Sequence, residues 1–263
     1  MIRSHTLRKR DLYLDKLIAF QDTEPIKVVT GIRRCGKSSL LKLMAAHLRG
    51  NGVSDEQIFE SYEFLKMTAD ELYRYVKERV LPDRRIYLFF DELQRMDGWE
   101  NAVNSFRVDF DCDIYITGSN AYLLSSEYST YLSGRCVEIK MLPLSFAEFV
   151  DFYGFTIKTV KSALGGQKKK AVDQDGTQYE LREIFDAYMR FGGMPGIADV
   201  GMEQDKALTL LEGIYSTVIV RDILEREKRR GQRQLTDAML LKKIVLFLAD
   251  NIGSSVSISS IGN

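Results

Sequence analysis

Histidine, cysteine and proline are scarce in this chain of 263 residues, which has two, three and four of them respectively. The cysteines, Cys35, Cys112 and Cys136, are odd in number and far apart, and no C-x-x-C pair occurs. So few thiols and imidazoles do not favour a zinc cage. We expect reduced thiols, as in a cytoplasmic protein.

The sequence also lacks a long apolar run, because no segment approaches the roughly 18 apolar residues of a membrane span. Its first 20 residues are basic, yet they have neither a continuous apolar segment nor a small-residue cleavage site, so a signal peptide is not indicated. An excess of charge is missing too, since Lys plus Arg and Asp plus Glu number 37 each. This balance argues against a chain that binds nucleic acid over its whole surface, although a local basic patch stays open. A cytoplasmic protein without a membrane partner is expected.

The chain does contain a glycine-bounded turn between a predicted strand, residues 25–31, and a predicted helix, residues 37–52. The turn reads Gly31-x-x-x-x-Gly36-Lys37-Ser38, the phosphate-loop pattern. Glycines let backbone N–H groups approach a polyphosphate, and the helix N-terminus adds its positive dipole end. Lys37 supplies a mobile charge for the phosphate oxygens, and the Ser38 hydroxyl is the expected Mg²⁺ ligand. The residues predicted to contact ATP are Gly31, Arg34, Cys35, Gly36, Lys37, Ser38 and Ser39.

Within this loop Cys35 is interpreted as a small residue that fits the turn. A redox-sensitive thiol near a helix N-terminus is the alternative.

Two carboxylates follow a second predicted strand, the apolar run from residue 86 to residue 90. A run that is apolar on both faces suits a central parallel strand, and ligands of open α/β sheets bind beyond the carboxyl ends of such strands. Asp91 is predicted to hold Mg²⁺, directly or through water. Glu92 is predicted to polarise the water that attacks the γ-phosphate.

A polar turn and an arginine accompany two later strands. After the strand in residues 112–117 come Ser119 and Asn120, either of which can orient water or sense the γ-phosphate; Thr117 is a weaker candidate, and a plain turn is the alternative. Arg135 precedes a fifth strand and is predicted to stabilise transition-state charge, in cis or from a neighbouring subunit. A surface ion pair is the alternative for Arg135.

The chain resembles AAA+-type P-loop ATPases of the archaeal/bacterial group in five segments, which are, in order, GIRRCGKSSLL, YLFFDELQRMDGWE, ITGSNAYLLS, LSGRCVEIKMLPLSFAEF and FGGMPGI. In that group the ATPase domain is usually followed by a C-terminal domain of unknown function. The resemblance covers about residues 10–263. It implies an ASCE-type α/β fold with a helix-flanked parallel sheet in the order 5-1-4-3-2, Glu92 as the hydrolytic glutamate, and TGSN (117–120) as the first sensor.

The chain also resembles signal-transducing switch ATPases, in which a glycine-x-proline element from the domain after the sheet contacts the adenine. Gly193-Met194-Pro195 matches that element, which implies Pro195 as a nucleotide contact. A helix-ending turn is the alternative.

Three regions are predicted along the chain. Residues 1–154 are the P-loop ATPase domain with an N-terminal arm, and within them residues 57–64 are the second strand. Residues 155–177 contain glycines, are charged and are weakly periodic, so a loop or linker is expected there. Residues 178–263 are a helical C-terminal domain whose end resembles the start of a winged helix and stops abruptly, which suggests a chain cut inside that domain.

Two basic segments are weighed as binding surfaces. The run at 168–170 is interpreted as a solvated surface. A helical cluster is the best candidate for nucleic acid, although ordinary helix surface is favoured; it comprises Arg226, Lys228, Arg229, Arg230 and Arg233.

Three functions compete. The favoured one is a Mg²⁺-dependent ATPase in which the helical domain moves against the sheet, with a possible homo-oligomer and a DNA or protein partner on the helical domain. The second is a nucleotide-gated binding module with little turnover. The third is a small-molecule kinase, which would need an acceptor pocket and an arginine-rich lid that the sequence does not offer.

Overall fold

The structure is a computed structural model that describes residues 7–60, 63–118, 134–161, 166–200, 203–216 and 238–262. The chain divides into two compact units, residues 1–202 and residues 203–263. Among the described residues, no helix is both long enough and apolar enough to cross a membrane.

A five-stranded parallel sheet forms the centre of the first unit. Its strands are β1 (Ile26–Thr30), β2 (Ile58–Glu60), β3 (Ile86–Phe90), β4 (Cys112–Gly118) and β5 (Cys136–Lys140), in the spatial order β2-β3-β4-β1-β5. Read from the other edge this is 5-1-4-3-2, so the predicted order and the P-loop class are confirmed.

Helices cover both faces of this sheet. The α-helices in the described part of the first unit are α1 (Asp11–Ala19), α2 (Lys37–Gly50), α3 (Ala69–Lys77), α4 (Trp99–Asp109), α5 (Phe146–Phe152) and α6 (Leu181–Phe191). Alternate residues of β1 point into different cores: Val28 packs with Leu88 and Phe106 on the α4 side, and Val29 packs with residues of α2 on the other. Because both of its faces are buried, β3 is a continuous apolar run, whereas β1 and β4 also contain the buried ion pair of Lys27 with Asp113.

The helices α3 and α5 begin with capping boxes. The Glu71 backbone N–H donates to the Thr68 hydroxyl at 3.3 Å, and the Thr68 N–H donates to the Glu71 carboxylate at 2.7 Å. Ser145 and Glu148 repeat the pattern at 3.3 and 2.9 Å. These reciprocal bonds satisfy N–H groups that a helix end otherwise leaves without partners.

The second strand is shorter than predicted. β2 ends at Glu60, and a 3₁₀ helix, Glu63–Lys66, occupies part of the segment expected to continue it. Phe64 is buried there and packs edge-on to Phe90, with ring centroids 5.3 Å apart. Core packing of this aromatic side chain overrides the alternating pattern that predicted a strand over residues 57–64.

The prediction of a loop for residues 155–177 is wrong, because most of this segment forms β-strands. Strands β6 (Thr156–Lys161) and β7 (Gln167–Val172) pair antiparallel there, and β8 (Gln178–Glu180) adds a third strand. Asp173 closes the β7–β8 turn by accepting the N–H groups of Asp175 and Thr177 at 3.0 and 2.8 Å. This small sheet and α6 both belong to the first unit, so the division at residue 203 lies after the predicted linker.

The second unit contains the helices α7 (Gln204–Tyr215), α8 (Ala238–Asp250) and α9 (Ile258–Gly262). Several apolar side chains are exposed on its described part, among them Met239, Leu246, Ile252 and Ile258. The predicted basic cluster at residues 226–233 lies outside the described residues.

Candidate functional site

The loop from Gly31 to Gly36 joins β1 to α2 in a conformation that requires glycine. Gly31 has a φ of +145°, and a Cβ added there would lie 2.2 Å from the carbonyl oxygen of Met141. Gly36 is left-handed, with a φ of +103°. The loop backbone therefore approaches the chain after β5 more closely than any side chain would permit.

Helix α2 begins directly at this loop, with Gly36 as its N-cap and no side chain capping it. Its first backbone N–H groups therefore have no N-cap side chain as an acceptor, and the positive end of the 14-residue helix lies beside them. Ser38 is partly buried and Ser39 is exposed at this helix start. Such a terminus suits a polyphosphate.

Lys37 is almost fully buried although its side chain is charged. Its ammonium donates to the carbonyl oxygens of Gly31 and Ile32, at 2.9 and 3.1 Å. The amine thus lies over the loop whose N–H groups suit a phosphate. Exchanging these neutral acceptors for phosphate oxygens would give the ammonium charged partners, which form stronger hydrogen bonds.

Asp91 and Glu92 follow β3, and both are hydrogen-bonded to the side chain of Thr117 near the end of the neighbouring strand β4. The Thr117 hydroxyl donates to an Asp91 carboxylate oxygen and accepts the Glu92 backbone N–H at 3.1 Å. Thr117 is fully buried, and its backbone lies in register with Val29 of β1. β4 lies between β3 and β1 in the sheet. The Thr117 hydroxyl therefore holds both acidic residues at the carboxyl ends of the strands, where the phosphate loop also lies.

Glu92 has a φ of +55°, a left-handed conformation that costs energy for a residue with a side chain. The bond from its N–H to Thr117 holds it there. The Arg95 guanidinium lies 4.0 Å from its carboxylate. Among the described residues no three His, Cys, Asp or Glu side chains form a metal-holding group. A Mg²⁺ site at Asp91 and Ser38 would therefore need ligands from phosphate and water, as is usual for this ion.

Arg135 lies at the amino ends of the strands, whereas the phosphate loop lies at their carboxyl ends. Its carbonyl accepts the Ile26 N–H at 2.9 Å, at the start of β1, whereas Lys37 follows the end of that strand. The five residues of β1 separate its amino end from its carboxyl end by about 13 Å. The structure does not bring Arg135 to the phosphate loop of its own chain.

Asn120 and Ser119 lie outside the described residues. Thr117, the weaker candidate from the sequence, lies near the end of β4, and its hydroxyl contacts Asp91 and the Glu92 backbone.

The Gly193-Met194-Pro195 element contacts the segment after β5. The Leu144 N–H donates to the Gly193 carbonyl at 2.6 Å, and a Cβ on Gly193 would lie 2.4 Å from the Leu144 oxygen. Met141, three residues earlier, is the neighbour of Gly31 in the phosphate loop. Pro195, which begins a 3₁₀ helix, is therefore connected to the loop through residues 141–144.

Sequence reasoning missed Arg10, a buried residue of the N-terminal arm that contacts this same segment. Its guanidinium donates to the carbonyls of Cys35 at 3.0 Å and Leu142 at 2.8 Å, and to the two carboxylate oxygens of Glu148 at 2.7 and 2.8 Å. The arm is thereby joined to the phosphate loop and to the start of α5. The capping box identifies Glu148, but no local pattern identifies a partner 138 residues away.

The electrostatics of this region follow from burial and from Arg10. Partial burial favours a neutral Glu148, but the Arg10 guanidinium and the Ser145 N–H outweigh it and hold the pKa of Glu148 below its ordinary value. Burial raises the pKa of the Cys35 thiol, which disfavours the thiolate. The interpretation of Cys35 as a small residue that fits the turn is thus preferred to a redox thiol.

Residues 23–150 match the family model described as an AAA domain. This segment is similar to AAA domains. It contains the phosphate loop, Asp91 and Glu92, Thr117 and the Met141 neighbour of Gly31, in an arrangement expected of a nucleotide-binding P-loop protein.

Two relatives extend the similarity beyond the AAA domain. An uncharacterized protein of Haemophilus influenzae is 37% identical over 266 residues, which cover 99% of this chain and 60% of that protein. An uncharacterized protein of Methanocaldococcus jannaschii is 31% identical over 239 residues, which cover 90% of this chain and 49% of that protein. The chain thus spans about half to three fifths of the length of these relatives.

Two solved structures resemble the chain weakly. A RuvB variant from Thermotoga maritima gives a TM-score of 0.48 at 14% identity, over 96% of this chain and 80% of that one. A DNA polymerase III gamma subunit-related protein from the same organism gives 0.41 at 15%, over 54% and 49%. Similarities of this strength carry no information about function.

Proposed function

We propose that the chain binds ATP with Mg²⁺ and hydrolyses it. The supporting observation is the bridge made by Thr117, which places Asp91 and Glu92 together at the sheet edge that carries the phosphate loop. An acidic pair at that edge is what γ-phosphate hydrolysis requires in addition to a phosphate cradle.

In this proposal each residue has one task. The N–H groups of the loop and of the α2 terminus bind the phosphates, and Lys37 moves its hydrogen bonds from the Gly31 and Ile32 carbonyls to phosphate oxygens. Ser38 and Asp91 would hold Mg²⁺, which would neutralise charge on the phosphates. Glu92 accepts the proton of the attacking water.

Two finer parts of the proposal concern events beyond the loop. Loss of γ-phosphate contacts to Lys37 would change its hydrogen bond to Gly31. Gly31 contacts Met141, which precedes the segment that is hydrogen-bonded to Gly193. A nucleotide-dependent shift of Pro195 and the helices after it follows from that connection. Arg135, on the far sheet edge, would act on a neighbouring subunit in a homo-oligomer. A cytoplasmic location is supported by three thiols that form no disulfide.

The deciding experiment measures ATP affinity and steady-state phosphate release for three variants of the chain. Glu92→Gln should keep ATP affinity within about threefold and lower the turnover number by roughly 100-fold or more, because it removes only the proton acceptor. Lys37→Ala should weaken ATP binding itself. Glu56→Gln, an exposed glutamate on the same unit, is the matched control and should change neither quantity.

The outcomes separate the candidate functions. Parent-like turnover in Glu92→Gln would contradict the assignment of the base. ATP binding without any phosphate release by the parent chain would instead support the nucleotide-gated binding module.

A further inference from the structure

The β6–β7 hairpin concentrates positive charge in a chain whose net charge is zero. Between Asp151 and Asp173 the sequence has five lysines and no acidic residue. We call these lysines, on their two paired strands, the lysine ribbon; they are Lys158, Lys161, Lys168, Lys169 and Lys170. The run at 168–170, interpreted from the sequence as solvated surface, thus belongs to the β6-β7-β8 sheet, which is two-stranded beyond Lys170, where β8 no longer pairs with β7.

The strand register distributes these charges over both faces of the ribbon. Lys158 lies opposite Lys170, and Val160 lies opposite Lys168, so these three lysines share one face. Lys161 and Lys169 occupy alternate positions and therefore face the other way. All five side chains are exposed except that of Lys170, which is partly buried.

Carboxylates offset only part of this charge. Glu180 lies 2.8 Å from the Lys168 ammonium and 3.4 Å from that of Lys170, so a single acid serves two lysines. Within the described part of the chain, Lys158, Lys161 and Lys169 have no carboxylate within ion-pair distance. The outer ribbon thus carries uncompensated positive charge.

The base of the ribbon is fixed to the AAA domain side of the first unit. Ala171, one residue beyond Lys170, is fully buried in a cluster with Phe149 and Val150 of α5 and Ile184 of α6. A ribbon anchored in this way presents its lysines from paired strands, which position charges more precisely than a loop does.

We propose that the lysine ribbon docks into the major groove of duplex DNA and contacts the phosphates of both groove walls. The groove is about 12 Å wide and admits a two-stranded β-ribbon, whose strands are about 4.8 Å apart. Charges on both faces suit a groove with two phosphate walls, whereas a flat anionic membrane would meet only one face. Lysine–phosphate contacts carry no base information, so binding should be independent of sequence. The narrow major groove of A-form RNA would not admit the ribbon.

The test measures binding of the full chain to a fluorescein-labelled DNA duplex of about three helical turns by anisotropy, over a series of salt concentrations. The ribbon variant changes Lys158, Lys161 and Lys169 to Gln; the matched control changes Lys16, Lys66 and Lys77, exposed lysines elsewhere on the same unit. We expect the ribbon variant to bind at least tenfold more weakly at low salt. Its slope of log affinity against log salt should fall by about 2.7, since each phosphate contact contributes roughly 0.9. The control should match the parent.

Further arms make other outcomes decisive. Changing the same three ribbon lysines to Arg should restore binding, and a circular dichroism melt checks that each variant folds. No DNA binding by the parent chain would overturn the proposal, and so would equal losses of affinity in both triple variants. The first result is expected if the lysines merely keep the edge strand β6 from pairing with other chains. Ribbon-dependent binding to phosphatidylserine vesicles with unchanged DNA affinity would overturn it as well. Equal affinity for an RNA duplex would refute major-groove docking.

Discussion

Arg10 and Glu148, which lie 138 residues apart in the sequence, form a two-point ion pair at 2.7 and 2.8 Å. The same guanidinium donates to the carbonyl of Cys35 inside the phosphate loop. The N-terminal arm therefore does more than lead into β1, because it fixes the loop against the chain that follows β5. Arg10 is 3% exposed and Glu148 18%, so water screens the pair only in part.

The first prediction concerns this pair. Arg10→Ala removes the guanidinium from the Glu148 carboxylate and from the carbonyls of Cys35, Leu142 and Pro143, and should lower the free energy of unfolding by about 3 kcal/mol. Arg10→Lys keeps the charge but cannot reproduce the planar fork, so it should fold and yet bind ATP several-fold more weakly. Urea denaturation and ATP titration measure the two effects. Arg182→Lys, in an exposed ion pair with Asp186, is the control and should behave as the parent. Parent-like ATP affinity in Arg10→Lys would show that Arg10 does not position the loop.

The second prediction is a pH dependence with a defined sign. The pKa of Glu148 in the folded chain lies below its ordinary value of 4.5, so between those two values the unfolded chain binds more protons. The ion pair therefore stabilises the fold fully above about pH 4.5, and its contribution is lost as the pH falls through the folded pKa. The unfolding free energies of the parent and of Glu148→Gln should converge as the pH is lowered from about 6 to about 3. A difference that stays constant over this range would contradict the assignment of the shift to Glu148.

The third prediction concerns Thr117, which bridges the two acidic residues. Thr117→Val keeps the shape but removes the hydroxyl, so Asp91 loses a donor and the Glu92 N–H loses its acceptor. We expect the turnover number to fall about 10- to 100-fold, as for other residues that orient metal ligands, with a smaller change in ATP affinity. Thr117→Ser, which retains the hydroxyl, should recover most of the activity. Equal turnover in the Val and Ser variants would leave the bridge without a catalytic role.

The central sheet could be predicted because its strands obey a local rule. β3 is buried on both faces and appears as an unbroken apolar run that stops at Asp91. β1 is buried likewise, and its run before Gly31 is apolar except for Lys27 and Thr30. The site residues Lys37, Asp91 and Glu92 follow from the same segments, since motif and strand end coincide. The sheet order came with the family resemblance rather than from the runs themselves.

The failures have physical causes of another kind. β7 reads QKKKAV, and only its last residues, Ala171 and Val172, are buried, so no apolar alternation marks it as a strand. β7 is a strand because its backbone pairs with β6, and the local sequence pattern does not show this pairing. Arg10 was missed because its partners come from three distant segments, and a long-range ion pair leaves no periodic trace.

The last prediction concerns Arg135, whose place at the amino edge of the sheet keeps it away from the loop of its own chain. If Arg135 completes the site of a neighbouring subunit, Arg135→Ala should lower the turnover number by about 100-fold or more, close to the range known for such arginines. Arg84→Ala, which changes an exposed arginine near the same edge, is the control and should keep the parent turnover. Mixing Arg135→Ala with Lys37→Ala subunits, each inactive alone, should restore activity, because intact loops of one variant then meet intact arginines of the other. Activity of the mixture that never exceeds the sum of its parts would exclude a role in trans, and the alternative of a surface ion pair would then hold.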